Sequence, residues 1–560
     1  MYLKRTKTRT GRTYVSITQS YRDENGAPRS RTVQSLGYLD ELEREHEDAL
    51  AYCHKVKAEL ERQQRDRALS RTFFLDPSEQ IGNTEGHRKN LGAAAYGTIL
   101  RELGVDEFLR NHSSHAKLPC SAYKVLCCMV YTYLTGKKSW ERAWKRRNSF
   151  FESFDFSRSD MFQIMDFLAK HTNELQQWVC DHLLPSADHA TTNAYLPVVN
   201  FAYDERGDGI EDDETGQSTK TGYDLFSPII QISALMDVNR VPLGINVYFG
   251  RDYESRIHER LGPDDLLDAC KEQMPSLKRI VVIADKGPLA QDESLFTITK
   301  SGGYVFGQSP LLCEPEEYSW IANPNGYGTY TDDEFRAKTR TIVRRIRKTK
   351  NGNESRRIVP EKQVALWSRR AQNRERARRA SIAASLMRSG TERKLPFLPE
   401  GDELSKADGY QLIVTSETRE PIGMIVSCYQ LLNHMRSLFS LPYKDLQQLP
   451  ASADLSNMVR AHFLICYLAG VVTEVIRLRT GSRFSVEAIT DSLGKVNGTQ
   501  LDDTWYAFSY RNDITDTVGE TLGLDFSRKY LSKSDARQMF SGHRREPAEE
   551  IDTETQEQDR

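Results

Sequence analysis

The sequence lacks the features that mark secreted, disulfide-stabilised and membrane-spanning proteins. Its nine cysteines are scattered. The only close pair, Cys127 and Cys128, is vicinal, a spacing that suits neither a zinc knuckle nor an ordinary disulfide framework. No apolar run follows the opening MYLKRTKTRT, and the most apolar later stretch, His462 to Ile476, is too short and too close to charges to span a bilayer. These absences predict a cytoplasmic protein.

The sequence also lacks an excess of charge of either sign. Its 77 Lys and Arg residues nearly balance 79 Asp and Glu residues, which gives a formal net charge of -2. Any affinity for nucleic acid must therefore come from local clusters of charge. Residues 336–379 hold seventeen Lys and Arg against three acids, whereas residues 546–560 hold seven acids and one Arg. We expect the first segment to bind DNA and the acidic tail, residues 540–560, to be disordered.

A chain of 560 residues is too long for one hydrophobic core. Residues 1–75 combine two strand-like runs around Asn25-Gly26, a hairpin signal, with a Glu- and Leu-rich helical stretch. This basic β-meander is either a sheet with a solvated face or an arm that contacts DNA. Residues 88–190 predict a helical domain that binds DNA or links its neighbours. The remaining predicted parts are a core at 196–310 and 405–535, and a basic insertion at 311–404.

Four apolar runs between residues 196 and 285 predict strands that are covered on both faces. They are LPVVNFAYD, SPIIQISALMD, VPLGINVYF and RIVVIAD, and a helical segment precedes the last of them. Three consecutive strands, a helix and a parallel strand follow the ribonuclease H-like order. A later strand-like run and helix, at residues 408–446, stand where such a fold completes its active site. The predicted fold class is therefore α/β, with a ribonuclease H-like core formed by a mixed sheet flanked by helices.

Two aspartates end the first and the fourth of these runs. Asp204 and Asp285 would lie side by side at the carboxyl edge of the sheet. Metal-assisted cleavage of a phosphodiester needs hard oxygen ligands around two Mg²⁺ ions roughly 4 Å apart. One aspartate after a strand usually caps a helix or forms a turn, but two at these positions predict a metal site for Mg²⁺, with Mn²⁺ as a substitute.

These segments together resemble the DDE transposases of bacterial insertion sequences, in the branch with a basic N-terminal β-meander and a β-rich insertion. The resemblance implies a nuclease and strand transferase that binds terminal inverted repeats and target DNA, cleaves the transposon end with metal-activated water, and can act as a homodimer. It implies that Asp204 and Asp285 are the catalytic, metal-binding aspartates, and that Glu254 is a neighbour of the site or a surface carboxylate. The segments that carry it are TGRTYVSITQSYRDENGAPRSRTVQSLGYLDEL, FAYDERGDG, VPLGINVYFGRDYES, VVIADKGP, EKQVALWSRRAQNRERARRA, DGYQLIVTSET and VRAHFLICYLAG.

The third catalytic element departs from the family pattern. In the family, one helix carries Tyr, Arg, Glu and Lys at intervals of three, four and seven residues, which places them on one face. Counted from Tyr429, the corresponding positions hold Leu432, Arg436 and Tyr443, so only the tyrosine is kept. A cation near 4 Å from a metal ion is repelled by about 4 kcal/mol for each unit of the ion's charge at an effective dielectric of about 20. Loss of the second metal ion is the expected result.

The basic segment would form the insertion that precedes this helix. It contains the β-prone run TRTIVRRI and then a predicted helix, WSRRAQNRERARRASIAASL, whose arginines could follow a DNA backbone. The alternative is a solvated charged helix, and we expect Trp367 to pack rather than to stack on a base. The predicted DNA-binding residues are Arg344, Arg345, Arg347, Arg369, Arg370, Arg374 and Arg376.

Three functions remain open from the sequence. The first is an active transposase that uses an unrecognised third carboxylate, although Glu417 and Glu420 lie roughly four to five helical turns from Arg436. The second is a transposase-derived DNA-binding protein that no longer cleaves. The third is a scaffold for protein interactions.

Overall fold

The computed structural model divides the chain into two compact units, residues 1–83 and 84–560, which are described separately. All nine cysteines lie in the part of the chain that the structure describes, and none forms a disulfide. The described residues are 2–7, 11–22, 28–46, 49, 52–57, 60, 88–114, 116–136, 138–183, 193–202, 229–250, 267–268, 270–272, 274–329, 335–350, 353–377, 380, 407–502 and 504–541.

The first unit is a three-stranded antiparallel meander followed by a helix. The predicted hairpin is confirmed by the antiparallel pairing of its two strands, although its turn, residues 23–27, lies outside the described residues. Val15 and Ile17 are fully buried, and Val15 packs with Leu42, Ala49 and Cys53 in a small core. Arg12 binds Asp40 at 2.8 Å and so ties the loop before the second strand to the first helix. The elements are β1 (Tyr2–Lys7), β2 (Thr13–Arg22), β3 (Pro28–Tyr38) and α1 (Leu39–Glu45).

The second unit begins with one short strand and the helical region that the sequence predicts. Its helices pack into one continuous apolar cluster that also includes side chains of the large sheet. The elements are β4 (Arg88–Asn90), α2 (Ala93–Glu102), α3 (Val105–Ser113), α4 (Ala122–Leu134), α5 (Trp140–Lys145), α6 (Arg158–Lys170) and α7 (Thr172–Leu183), with a 3-10 turn at Arg146–Asn148.

A nine-stranded mixed sheet forms the centre of the second unit, which is therefore an α/β fold as predicted. The strand order is β10-β11-β12-β13-β9-β8-β5-β6-β7. β5, β6 and β7 are successive antiparallel neighbours, whereas β8 runs parallel to β5 and to β9. The strands are β5 (Asn193–Ala202), β6 (Ile229–Met236), β7 (Pro242–Gly250), β8 (Arg279–Asp285), β9 (Gly302–Gln308), β10 (Gly328–Thr329), β11 (Phe335–Lys350), β12 (Asn353–Ser368) and β13 (Tyr410–Thr415).

Helices cover both faces of this sheet, as its continuous apolar runs predict. Along β8, Val281 and Ile283 point into the cluster with the helical region, whereas Ile280 and Val282 point into a second cluster on the other face. The residues of a strand alternate between faces, so both sets are buried only because each face is covered. The remaining helices are α8 (Asp292–Ser301), α9 (Pro315–Ala322), α10 (Ile422–Leu438), α11 (Tyr443–Leu446), α12 (Leu455–Arg479), α13 (Val486–Lys495), α14 (Asp513–Leu522) and α15 (Lys533–Ser541), with 3-10 turns at Pro288–Ala290 and Pro310–Leu312.

The apolar stretch at 462–476 lies within α12, which has 25 residues and passes a length and composition test for a membrane span. The expectation that this stretch is too short was therefore wrong about its length. Its most apolar window is 89% buried by the rest of the protein, as in the core helix of a soluble domain. His462, fully buried on this helix, accepts from Tyr133 at 2.8 Å and donates to the carbonyl of Ser440 at 2.9 Å. These contacts join α4 to the segment that follows α10.

A small antiparallel sheet joins the beginning of the second unit to its end. Its order is β16-β15-β14-β4, so that β4 at residues 88–90 pairs with β14 at residues 497–500. The Asn90 side chain donates to the carbonyls of Leu493 at 2.9 Å and Val496 at 3.3 Å. The other strands are β14 (Asn497–Gln500), β15 (Trp505–Phe508) and β16 (Tyr530–Ser532).

Candidate functional site

One of the two predicted aspartates, Asp285, lies at the carboxyl edge of the large sheet. It is the last residue of β8, and its side chain is 57% exposed. Asp204 and Glu254 lie outside the described residues. β5 ends at Ala202 and runs parallel to β8, so the described chain leaves β5 at the edge where Asp285 stands.

Both carboxylate oxygens of Asp285 accept hydrogen bonds from α10. The Tyr429 hydroxyl donates to Oδ1 at 2.8 Å, and the Arg436 guanidinium donates to Oδ2 at 2.5 Å. Tyr429 and Arg436 are seven residues apart and therefore lie on the same face of the helix. Arg436 also donates to the Oδ1 atom of Asn433 at 3.2 Å, which helps to orient the guanidinium. The arginine at the position of the expected third carboxylate thus forms an ion pair with the second aspartate.

The Tyr429 ring lies directly against the backbone of Gly307. Gly307 is the β9 residue that pairs with Asp285, and a Cβ atom there would meet the Tyr429 hydroxyl oxygen at 2.1 Å and Cζ at 2.2 Å. Burial, and then the charge of Asp285, raises the pKa of Tyr429, so the phenol stays protonated and acts as a donor. Gly307 did not emerge from the sequence as part of the site. A glycine inside the strand-like run YVFGQ was its signal, since such glycines mark close approaches.

The other two signature positions do not reach this edge. Leu432 is fully buried in the core beneath α10. The helix ends at Leu438, so Tyr443 begins a separate short helix, and the prediction of one helical face extending to residue 443 was wrong. Pro442 explains the break, because proline lacks an N–H group and disfavours helical geometry at the preceding residue.

Glu417 and Glu420 lie at the opposite end of the structure's central strands from Asp285. Glu417 accepts two bonds from Arg279, at 2.5 and 2.7 Å, and Arg279 is the first residue of β8. A strand of seven residues spans roughly 23 Å at its usual rise. Glu420 precedes α10 at this same end. Neither residue therefore supplies a carboxylate to the edge that holds Asp285.

A buried polar network begins at Lys286, the residue after Asp285. The Lys286 ammonium lies 3.9 Å from Glu317, which accepts from the Gln363 amide at 3.0 Å. Gln363 also contacts Glu361, whose side chain is 2% exposed and accepts from the Tyr304 hydroxyl at 2.6 Å. The network leads from the carboxyl edge into β12 of the basic hairpin.

The described residues do not make up a two-metal site. A two-metal site needs oxygen ligands from more than one carboxylate. Both oxygens of Asp285 are already acceptors, one of them from a cation, and the charges of Asp285 and Arg436 sum to zero. Within the described part of this edge, the place where we expected a third carboxylate holds the positive side chain of Arg436.

The basic hairpin of β11 and β12 has one face turned to the protein and one face turned outward. Arg344 lies on the inner face, where it donates to the Ala290 carbonyl at 3.0 Å and lies 3.4 Å from Glu361. Arg345 and Arg347 lie on the outer face and are exposed. Arg347 lies 3.6 Å from Glu354, whereas no described residue forms an ion pair or hydrogen bond with the Arg345 side chain.

A helix follows the hairpin at residues 369–377, two residues later than the sequence predicts, because Trp367 and Ser368 belong to β12. Trp367 is partly buried, and the Arg336 guanidinium lies 5.4 Å above its ring, which fits a packing role. Arg376 lies 3.6 Å from the buried carboxylate of Asp408. The exposed arginines of this helix without an ion pair to a described residue are Arg369, Arg370 and Arg374.

The comparison with known families gives one match, in the first unit. Residues 3–69 match the family model described as IS1634 family transposase, N-terminal domain. The matched range contains the β-meander and the helix that follows it. No curated protein matches the chain. The match supports an insertion-sequence transposase as the kind of protein to which this chain is related.

Proposed function

We propose that this protein is a DDE-type insertion-sequence transposase homologue that binds DNA without cleaving it. The observation that carries the proposal is the ion pair between Arg436 and Asp285 at the carboxyl edge of the sheet. The transposase match in the first unit supports the relationship. The order of β5 to β9, three antiparallel strands and then two parallel ones, supports a ribonuclease H-like core.

Arg436 opposes cleavage in two ways. It replaces a side chain that would supply oxygen ligands, and it holds one oxygen of Asp285 at 2.5 Å in a charge-assisted hydrogen bond. A divalent ion drawn to Asp285 would lie close to the guanidinium, and repulsion near 4 Å amounts to about 8 kcal/mol for a doubly charged ion at an effective dielectric of about 20. Hydrolysis of a phosphodiester by this class of site depends on such ions.

DNA binding is proposed for the outward arginines of the hairpin and of the helix after it. Arg345, Arg369, Arg370 and Arg374 are exposed, and no described residue neutralises them. Contacts from such side chains to phosphates release counterions, so the affinity should fall steeply with salt. Arg344 is left out of the proposed surface because its guanidinium binds protein groups.

The decisive experiment incubates the purified protein with the DNA ends that flank its coding region, in Mg²⁺ or Mn²⁺, and measures nicking. We expect salt-sensitive binding and no nicking by the wild type. Arg436→Glu tests whether the reversed charge is the main defect, and Asp285→Ala in both backgrounds is the control for contaminating nuclease. Leu432 is left unchanged, because an arginine there would be buried without a partner.

Nicking by the wild type that Asp285→Ala abolishes would contradict the proposal and favour an active transposase. DNA binding is tested with Arg345→Ala, which should lower the slope of log affinity against log salt by about 1. Arg528→Ala, an exposed arginine that pairs with Asp525 outside the segments predicted to bind DNA, is the control. Absence of salt-sensitive binding would favour a protein-interaction scaffold.

A further inference from the structure

Three side chains suited to metal binding meet in the helical region of the second unit. His112 lies in the last turn of α3, His171 lies between α6 and α7, and Glu174 lies in the first turn of α7. One ligand atom from each lies within 4.8 Å of the other two. Glu174 Oε2 is 2.7 Å from His171 Nδ1 and 3.7 Å from His112 Nε2. The cluster thus brings together the ends of three helices.

The surroundings of His112 fix which of its nitrogens faces the cluster. Its Nδ1 lies 2.8 Å from the Phe108 carbonyl, which can only accept, so Nδ1 carries the proton. Nε2 therefore has a free lone pair, and it is the nitrogen that points toward Glu174. The ring is stacked on Phe108 with 3.9 Å between centroids. A histidine whose second nitrogen donates to a backbone carbonyl is in the arrangement that metal-binding histidines adopt.

His171 is also held in place, while the cluster stays open to solvent. Its ring lies 4.6 Å from the Phe167 ring and 5.3 Å from the His112 ring, between centroids. The side chains of His112, His171 and Glu174 are 33%, 27% and 59% exposed. An ion can therefore reach the cluster from solution, and water can complete its coordination.

We propose that His112, His171 and Glu174 bind one divalent transition-metal ion, with Zn²⁺ as the best match. Imidazole nitrogens favour Zn²⁺ over Mg²⁺, which prefers oxygen ligands. Bonds of about 2.0 to 2.1 Å at tetrahedral angles place ligand atoms roughly 3.3 Å apart. This value lies between the distances from Glu174 Oε2 to His171 Nδ1, 2.7 Å, and to His112 Nε2, 3.7 Å. Two histidines and one glutamate leave a fourth position for water. The ion would link α3 to the junction of α6 and α7, and this proposal does not depend on the proposed DNA binding.

The test is calorimetric titration of the metal-stripped full-length protein with ZnCl₂, compared between wild type and variants. Cysteines and other histidines can also bind zinc, so the comparison concerns the number of zinc ions bound per protein molecule and their affinity. The proposed site is the one that is present in the wild type and weakened in a variant of the cluster. We expect Glu174→Gln and His112→Ala each to weaken one site at least tenfold. His182→Gln is the matched control, since His182 lies on α7 and its Nδ1 also contacts a backbone carbonyl, that of Trp178 at 2.8 Å. That variant should keep the site.

Two further measurements keep the outcome interpretable. Glu174→Gln changes an exposed side chain and leaves an oxygen that can accept from His171, so its thermal unfolding without metal should match the wild type. Co²⁺ bound to the wild type should show a visible absorption band that this variant loses. The proposal is overturned if zinc binding is the same in wild type, Glu174→Gln and His112→Ala, or if the wild type binds no zinc stoichiometrically. In that case the cluster is only a histidine–glutamate ion pair.

Discussion

Replacement of Gly307 by alanine tests the contact on which the Tyr429 to Asp285 arrangement rests. A Cβ atom at this position would lie 2.1, 2.2 and 2.3 Å from Tyr429 Oη, Cζ and Cε2, more than 1 Å inside ordinary contact distance. The ring is buried and cannot swing into solvent without leaving its site. Overpacking of this kind costs about 1 to 3 kcal/mol, and loss of the bond to the Asp285 carboxylate adds about 1.5 to 3 kcal/mol. We expect Gly307→Ala to lower the free energy of unfolding by about 2.5 to 6 kcal/mol.

Urea unfolding followed by tryptophan fluorescence measures this loss, and a double-mutant cycle assigns it. In a Tyr429→Ala background the new methyl group has room, so Gly307→Ala should cost little there. In a Tyr429→Phe background Cζ and Cε2 remain, and the clash should persist. Gly328→Ala is the control, because that exposed strand position has nothing within 4 Å of a new Cβ atom, and it should stay within about 0.5 kcal/mol of the wild type. An equal cost in the Tyr429→Ala background would refute the proposed contact.

Two further predictions concern buried polar groups. Burial lowers the pKa of His462 to about 3, whereas a histidine in the unfolded chain has a pKa of about 6.5. As the pH falls from 7 to 5, the unfolded state takes up the proton first, so the His462 side chain should lower the free energy of unfolding by about 2 kcal/mol. Urea titrations at several pH values should therefore show a smaller pH-dependent loss of this free energy for His462→Phe than for the wild type. Tyr304→Phe removes the hydroxyl that donates to the buried Glu361 carboxylate at 2.6 Å. It should lower the free energy of unfolding by about 1.5 to 3 kcal/mol in the same assay, and an unchanged unfolding midpoint would contradict the importance of that bond.

The order of the central strands could be predicted from the sequence because strands that are buried on both faces appear as continuous apolar runs. β8 shows why: its sequence RIVVIAD supplies side chains to both apolar clusters. The same reasoning placed Asp285 at the carboxyl edge. The pairing of Tyr429 and Arg436 with it depends on how α10 lies across β8 and β9, which residue spacing does not determine.

The roles of individual arginines were harder to predict, because composition does not distinguish the two faces of a strand. In TRTIVRRI, Arg344 and Arg345 are adjacent, and both were predicted to bind DNA. Only Arg345 faces outward, while Arg344 reaches Ala290 and Glu361 beneath the hairpin. The extent of α10 was overestimated for a similar reason, since helical spacing was extended through Pro442.

The pairing of β4 with β14 has a consequence for synthesis on the ribosome. The two strands lie at residues 88–90 and 497–500, so about 400 residues must be translated after the first before its partner exists. At roughly 5 to 20 residues per second this delay is about 20 to 80 s. During that time Asn90 lacks the carbonyl groups of Leu493 and Val496, and Arg101 lacks that of Phe540. A product truncated before residue 497 cannot form this pairing, so translation must pass that residue before the second unit can close.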